Sequence, residues 1–345
     1  MFGNNSPFNK EAHMRVIQPS PISNQFIFIG GARTSQTYAD NNDFGKRCVM
    51  RKYSINGNLL DIYDFNFIDD IRIIVKGEDG FLYVYGNRNI GTGRIFKIDL
   101  NGNIIWIRNS NAGRMVFKND KLYVRDNDDL KVYDLNGNHI IIDSGLASVT
   151  ALDVSIDKNI IVTAGDQTSI MQIYDLNTLQ RINNTTVFNS RAITNLNIDE
   201  DNDRIYIGHN RNLNTSITGY PINYPGLGMQ PNPWIFSNST ANNIVLDSSG
   251  NNGYIRTSNG IYRCDFNPNA DRIRLVGIPE PVNWLAATSD SSFKNHFTLN
   301  ESLGELYCVG LSATWGSRLR VLNSSTLNSV FWREHGNILY AVDFI

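Results

Sequence analysis

The stretch LYVYGNRNIGTGRIFKIDLNGNIIW, residues 82–106, holds short alternating apolar runs and an Asn-Gly pair. Asn-Gly after such a run is the strongest short-range hairpin signal, because both residues tolerate the left-handed backbone of a tight turn. Nearly the same words recur as YSINGN at 53–58, YDLNGN at 133–138 and YDLNTL at 174–179. Weaker copies end at Asn223 (YPIN), Asn267 (CDFN) and Asn323 (RVLN). Anchored on Asn56, Asn101, Asn136, Asn177, Asn223, Asn267 and Asn323, the spacings are 45, 35, 41, 46, 44 and 56 residues. A period of that size belongs to propeller blades or to helical repeats. Alternation and short apolar blocks, rather than 3.6-residue spacing, select strands.

Each unit has one grammar. DIRIIVKGEDG (70–80), FLYVYGN (81–87), GRIFKIDLNGN (93–103) and IIWIR (104–108) read as strands with their turns. The next two units repeat it from GRMVFKND (113–120) to HIIID (139–143), and from VTALDVSIDKN (149–159) to LQRI (179–182). The first unit offers only QFIFIGG, CVMRKYSING and LLDIYDF, while NILYAVDFI (337–345) is left over at the other end. The expected architecture is therefore all-β: a seven-bladed β-propeller of four-stranded antiparallel blades, residues 23–345. Residues 337–345 complete blade 1 and close the ring, which removes exposed edges. Residues 1–22 are read as an N-terminal arm, with disorder as the equal alternative.

The composition is that of a soluble globular chain, with a net charge of −2 that draws it neither to nucleic acid nor to anionic membranes. Cys48, Cys264 and Cys308 are odd in number and far apart, which argues against a disulfide framework and a zinc site. The start lacks the apolar core of a signal peptide, and no run approaches the roughly 18 apolar residues of a membrane helix. Asparagine is abundant at 46 residues. Hairpin turns account for part of this, and an AT-rich genome, viral or bacterial, for the rest.

The units resemble quinoprotein-like and YVTN-type propeller repeats, residues 82–106 most closely. Trp106, Trp234 and Trp332 recur at the fourth strand, as in quinoprotein-like repeats; packing between blades is the simpler role for such large aromatics. The quinone site of that family uses adjacent cysteines with a calcium-binding acid cluster. No Cys-Cys pair exists here, so no cofactor is expected.

No catalytic constellation is visible. His13, His139, His209, His296 and His335 have no metal-ligand spacing. DEDND (199–203) opens like a calcium loop but has Arg204 and Asn210 where that loop needs Gly and Glu, so it reads as a turn, as does DNDD (126–129). GNRNIGTGR (86–94) does not match a dinucleotide fingerprint, and there is no G-x-S-x-G elbow.

Two features suit partner binding. Arg33, Arg88, Arg125, Arg211 and Arg256 sit at or just past the end of the second strand in five blades, where loops of one face emerge; such a ring would grip carboxylates or phosphates. The stretch GYPINYPGLGMQPNPW (219–234) combines four prolines with Tyr220, Tyr224, Met229 and Trp234, stiff backbone with aromatic area. Propellers host enzymes and platforms alike. Without enzyme motifs the expected role is a non-enzymatic platform joined to other structural proteins in a symmetric assembly. The Asn/Ile richness, the arm and the propeller resemble tail, nozzle or baseplate components of phage particles, assembled in the host cytoplasm. The alternatives are a cytoplasmic propeller scaffold or assembly factor, and a lactonase-like hydrolase with its acids at the channel mouth. An enzyme of that kind gathers acids or histidines at one end of the channel.

Overall fold

The computed structural model describes residues 25–32, 49–88, 93–127, 129–144, 149–165, 170–186, 192–210, 214–215, 217–222, 232–233, 236–237, 241–250, 252–257, 260–265, 274–275, 280–281, 297–312, 316–335 and 338–345. Their regular structure is entirely β. The chain opens with β1 (Phe26–Ala32), β2 (Val49–Ser54) and β3 (Leu59–Asp64). Three four-strand meanders follow: β4 (Asp70–Lys76), β5 (Leu82–Asn87), β6 (Arg94–Ile98) and β7 (Ile104–Asn109); β8 (Ala112–Lys118), β9 (Lys121–Asp126), β10 (Asp129–Tyr133) and β11 (His139–Asp143); β12 (Val149–Ser155), β13 (Ile160–Gly165), β14 (Ile170–Asp175) and β15 (Arg181–Thr186). Next come β16 (Ala192–Asp199), β17 (Arg204–Asn210), β18 (Asn214–Thr215), β19 (Ile217–Pro221), β20 (Asn232–Pro233) and β21 (Phe236–Ser237). The next group is β22 (Ala241–Leu246), β23 (Asn252–Thr257), β24 (Gly260–Asp265), β25 (Arg274–Leu275) and β26 (Glu280–Pro281). The last strands are β27 (Phe297–Asn300), β28 (Glu305–Ser312), β29 (Gly316–Asn323), β30 (Ser329–His335) and β31 (Ile338–Phe344).

These strands form a propeller of antiparallel, mostly four-stranded sheets. The expected seven blades are corrected to six blade-sized sheets among the described residues. One of them has eight strands, because the single pair Ala32↔Asp70 joins β1 to β4 and fuses the first two units. A small two-stranded sheet, β18–β21, stands apart. At the other end of the chain β31 pairs antiparallel with β1, from Ile27↔Phe344 to Ala32↔Ile338. Strands β4, β8, β12, β16, β22, β27 and β31 each pack against the next in that order, and β31 packs against β4. The arm at residues 1–22 lies outside the described residues.

The core is divided in the same way. Seven clusters of buried side chains lie between consecutive strand groups. One packs Tyr307, Val309, Leu319 and Val321 of the last sheet against Ile27, Ile29 and Val342. Tyr83, Tyr123, Tyr206, Tyr254 and Tyr307 occupy the second strands of their groups and are almost completely buried. Both faces of each sheet are therefore apolar, which blurs the polar-out alternation of a one-sided sheet.

The Asn-Gly words are hairpin turns between third and fourth strands. In YDLNGN the Asp134 carboxylate accepts the amides of Asn136 at 2.9 Å and Asn138 at 2.8 Å, and Gly137 has φ +77°. Asp99 holds Asn101 and Asn103 in the same way. In YDLNTL the turn is longer by one residue: Asp175 accepts the amides of Asn177 and Thr178, and Leu179 takes the positive φ. The turn also receives the preceding group. Tyr63 donates its hydroxyl to Leu100 O at 2.9 Å, and Trp106 donates Nε1–H to Leu135 O at 3.0 Å.

Candidate functional site

Five of the innermost strands carry a bulge or register irregularity near their start: at 71–73, 112–114, 149–151, 193–195 and 241–243. From these common points the strands run to the opposite end of the propeller. There the ends of β8, β12, β16 and β22, with their turns, surround a cavity of about 480 Å³. Asp153, Asp199, Glu200, Asp201, Asp247 and Glu301 line it, against the single cation Lys118.

Much of this acidity is built into the turns. Asp153 accepts the backbone amide of Ile198 on the neighbouring innermost strand at 2.8 Å, and that of Val154 at 2.9 Å. Asp343 does the equivalent for Lys76 at 2.9 Å, so an aspartate near the end of an innermost strand serves twice as an inter-strand latch. Asp199 accepts from the Asn202 amide and side chain, and Asp247 from those of Asn252. Glu301 accepts the Ser248 amide, tying two neighbouring turns together. Gly250, at φ +65°, is required here: a Cβ would stand 2.3 Å from Asp199 Oδ1. The segment DEDND is thus a turn, as expected. No group of three or more His, Cys, Asp or Glu among the described residues has a metal-holding arrangement.

Asp153 is the carboxyl best placed for chemistry. Burial raises its pKa; the two amides, Lys118 and Arg114 act in the opposite direction. Burial likewise raises Asp199. In the unfolded chain Asp153 ionises near the ordinary carboxylate value of about 3.9. Its contribution to stability is full below that value and is lost as pH rises through the higher folded pKa. The denaturation midpoint of the natural protein should therefore fall, relative to Asp153→Asn, as pH rises from about 4 toward neutrality. A difference between the two proteins that stays flat over that range would refute the assignment.

The sequence-predicted residues are dispersed. Arg88 is exposed just past β5, whereas Arg125 and Arg256 lie within β9 and β23, half-buried and buried. Arg125 is paired with Arg114 and Arg256 with Asn243. The corresponding pair in the β4–β5 hairpin is Ile73↔Tyr85, so Arg88 lies three residues further along. Arg125 and Arg256 are thus the penultimate residues of their second strands, and Arg88 is the first residue past its own. Arg33 and Arg211 lie outside the described residues. Tyr220, on β19, pairs through its backbone with Ile205 of β17, and Tyr224, Met229 and Trp234 lie outside the described residues. Sequence reading missed Asp153, Lys118 and Arg114. Their signal was a charge inside an apolar strand, in TALDVS and GRMVFK.

No family model and no curated protein matches the sequence. Solved structures do match the fold. One, from Bacteroides uniformis, is described as a "putative 6-phosphogluconolactonase"; it is 11% identical, with TM-score 0.68 over 93% of this chain and 99% of that one. A Bacteroides fragilis structure of the same description is 10% identical, with TM-score 0.68 over 95% and 100%. The β-propeller domain of Myceliophteria thermophila Cps50 (Swd1) is 10% identical, with TM-score 0.55 over 82% and 96%. These neighbours give the virion expectation no support. They also overturn the expectation of a non-enzymatic chain, since two are described as lactonases and the acids of this chain converge at one end of its innermost strands. At such identities what the likeness shows is the fold: this chain is a β-propeller.

Proposed function

We propose that the chain is a hydrolase of neutral lactones or esters, acting at the acid-lined mouth formed by β8, β12, β16 and β22. The observation that carries this reading is that Asp153, its carboxyl pKa raised by burial, and Lys118 line one cavity. A carboxylate with raised pKa is a better general base near neutrality. In this mechanism Asp153 takes a proton from water as the water oxygen bonds to the carbonyl carbon. Lys118 faces the developing oxyanion. The ring C–O bond then breaks, and the leaving oxygen takes the proton back from Asp153. The descriptions of the two Bacteroides structures favour a lactone. With six carboxylates facing one ammonium, the cavity disfavours a phosphorylated substrate.

The test is hydrolysis of a neutral aldonolactone and its phosphorylated counterpart. Asp153→Asn should lower kcat about 10²–10⁴-fold, the usual contribution of a general base. The phosphorylated lactone should be the poorer substrate. Absence of hydrolysis, or full activity in both Asp153→Asn and Lys118→Met, would overturn the reading.

A second reading, docking of other protein chains, is favoured by a different observation. Leu59 and Leu60, Ile104 and Ile105, and, one residue further along, Ile140 and Ile141 are exposed pairs at the start of the outer strands β3, β7 and β11. We also propose that the eight-stranded sheet works as two blades and that β31 closes a seven-unit ring; the packing order of the innermost strands and the seven core clusters support it.

A further inference from the structure

Four outer strands share one guard, which β11 lacks. In β3, β7, β15 and β30 the ladder to the neighbouring strand skips the second residue, so Leu60, Ile105, Ile182 and Val330 have no cross-strand partner. A bulge at that place twists the edge away from any further strand that could pair with it. In β11 the ladder is regular from Tyr133↔His139 through Val132↔Ile140 to Lys131↔Ile141, and the skipped residue is Ile142, near the far end. Ile140 and Ile141 are nonetheless 55% and 54% exposed. No Lys, Asp or Glu interrupts residues 139–142. β11 is also the terminal strand of its sheet among the described residues. A regular apolar edge of this kind is a template for a second strand.

The hairpin fixes which backbone groups face outward. The Asp134 amide donates to Asn138 O at 2.8 Å, so these two residues form a hydrogen-bonded pair at the turn. Antiparallel pairs alternate from there. Val132↔Ile140 is therefore hydrogen-bonded, whereas Tyr133↔His139 and Lys131↔Ile141 are not. The N–H and C=O groups of His139 and Ile141 thus point away from β10, toward the open side.

This edge is complementary to itself. In an antiparallel pair centred on Ile140, His139 of each copy faces Ile141 of the other, and both pairs exchange backbone hydrogen bonds. Ile140 then meets Ile140 as a non-hydrogen-bonded pair, with Cα atoms about 4.5 Å apart. Charge agrees with the direction. β11 begins at His139 and ends at Asp143, so antiparallel pairing turns the imidazole end of one copy toward the carboxylate end of the other. Asp143 is held at that end by the Tyr174 hydroxyl at 2.9 Å, with Arg181 3.7 Å away.

We propose that β11 is a self-association edge, through which two copies of this chain pair antiparallel about a two-fold axis at Ile140 and join their sheets into one. Such a contact is isologous and closes at the dimer. Main-chain hydrogen bonds supply its affinity, as in strand addition generally. The proposal rests on the docking reading above and deepens it, naming the edge and its occupant.

The experiment is sedimentation velocity of the full chain over a dilution series, which should show a concentration-dependent monomer–dimer equilibrium. Ile140→Lys should weaken it at least about tenfold, because like charges then stand directly opposite each other at the axis. Leu60→Lys, on the bulged edge of β3, should leave it unchanged. Mild oxidation separates this pairing from general stickiness. Ile140→Cys should crosslink the dimer above the background of the natural protein, since about 4.5 Å between Cα atoms suits a disulfide. Ile141→Cys, at an equally exposed position, should not, because the two copies of residue 141 are diagonal neighbours about 7–8 Å apart, too far for one. A monomer at every concentration would overturn the proposal, and so would equal crosslinking of the two cysteine variants. Either result would remove the second copy as the occupant of β11 while leaving β3 and β7 to other chains.

Discussion

A chain lacking residues 337–345 is expected to aggregate instead of folding to a soluble monomer. Those residues contain β31, which pairs with β1 from Ile27↔Phe344 to Ala32↔Ile338. Beyond the ladder, Ile345 and Phe26 exchange two backbone hydrogen bonds at 2.8 and 3.0 Å. Asp343 latches the Lys76 amide, and Val342 is buried among Ile27, Ile29, Tyr307, Val309, Leu319 and Val321. At about 1 kcal/mol per hydrogen bond, with a further 1.5–3 kcal/mol or so for the buried valine, the loss is on the order of 5–10 kcal/mol. That is comparable with the whole stability of a typical domain, about 5–15 kcal/mol. The deletion also uncovers an edge of β1, whose Ile27, Phe28 and Ile29 are fully buried in the intact protein. An apolar unpaired edge is a template for pairing with other chains. Size-exclusion chromatography and thermal melts measure the outcome, and a synthetic 337–345 peptide added in trans should recover soluble protein. A monomeric truncation with an unchanged melting temperature would rule out ring closure by β31.

The local features were legible because their chemistry is local. An Asp or Ser followed by Asn-Gly fixes a hairpin through hydrogen bonds within six residues, and Asp134, Asp99 and Ser54 do this in three successive units. The count of sheets was less legible, since one long-range pair, Ala32↔Asp70, fuses two units into one sheet. The burial of the arginines was less legible for a related reason. Whether Arg88 or Arg125 falls in a loop or inside a strand depends on where each ladder stops, which depends on the partner strand. The functional candidates were hidden by the fold's geometry. Because β8 and β12 pack against clusters on both of their faces, Asp153 and Arg114 interrupt apolar runs without revealing which neighbouring sheet they meet. The two charges end in different surroundings: the Asp153 carboxyl lines an acidic cavity, and the Arg114 guanidinium is buried with its Nη1 unbonded.

The turn word itself leads to the second large effect. Trp106→Ala should destabilise the protein by about 3–5 kcal/mol, the usual cost of emptying a large aromatic site. Trp106 is 7% exposed and fills the space between β7 and the YDLNGN turn of the next unit. Its ring stacks with Tyr133 at 6.3 Å and 11°, and its Nε1–H satisfies Leu135 O. Arg108 beside it donates Nε–H to Gly137 O at 2.6 Å. Gly137 is the other half of the contact: at φ +77° a Cβ would lie 2.8 Å from Trp106 Cδ2. Gly137→Ala therefore carries two costs in the natural protein: left-handed strain of about 1–2 kcal/mol and the clash with the indole. In the Trp106→Ala background the clash disappears and the strain remains, so the double variant should be more stable than the sum of the single effects predicts. Urea midpoints at constant m-value measure the coupling. Additivity within about 0.5 kcal/mol would mean that turn and indole do not share one packing site, and that the repeated Asn-Gly serves only its own hairpin. Coupling in the predicted direction would show why Gly follows Asn there: the turn must reverse the chain and also receive the aromatic side chain of the preceding unit.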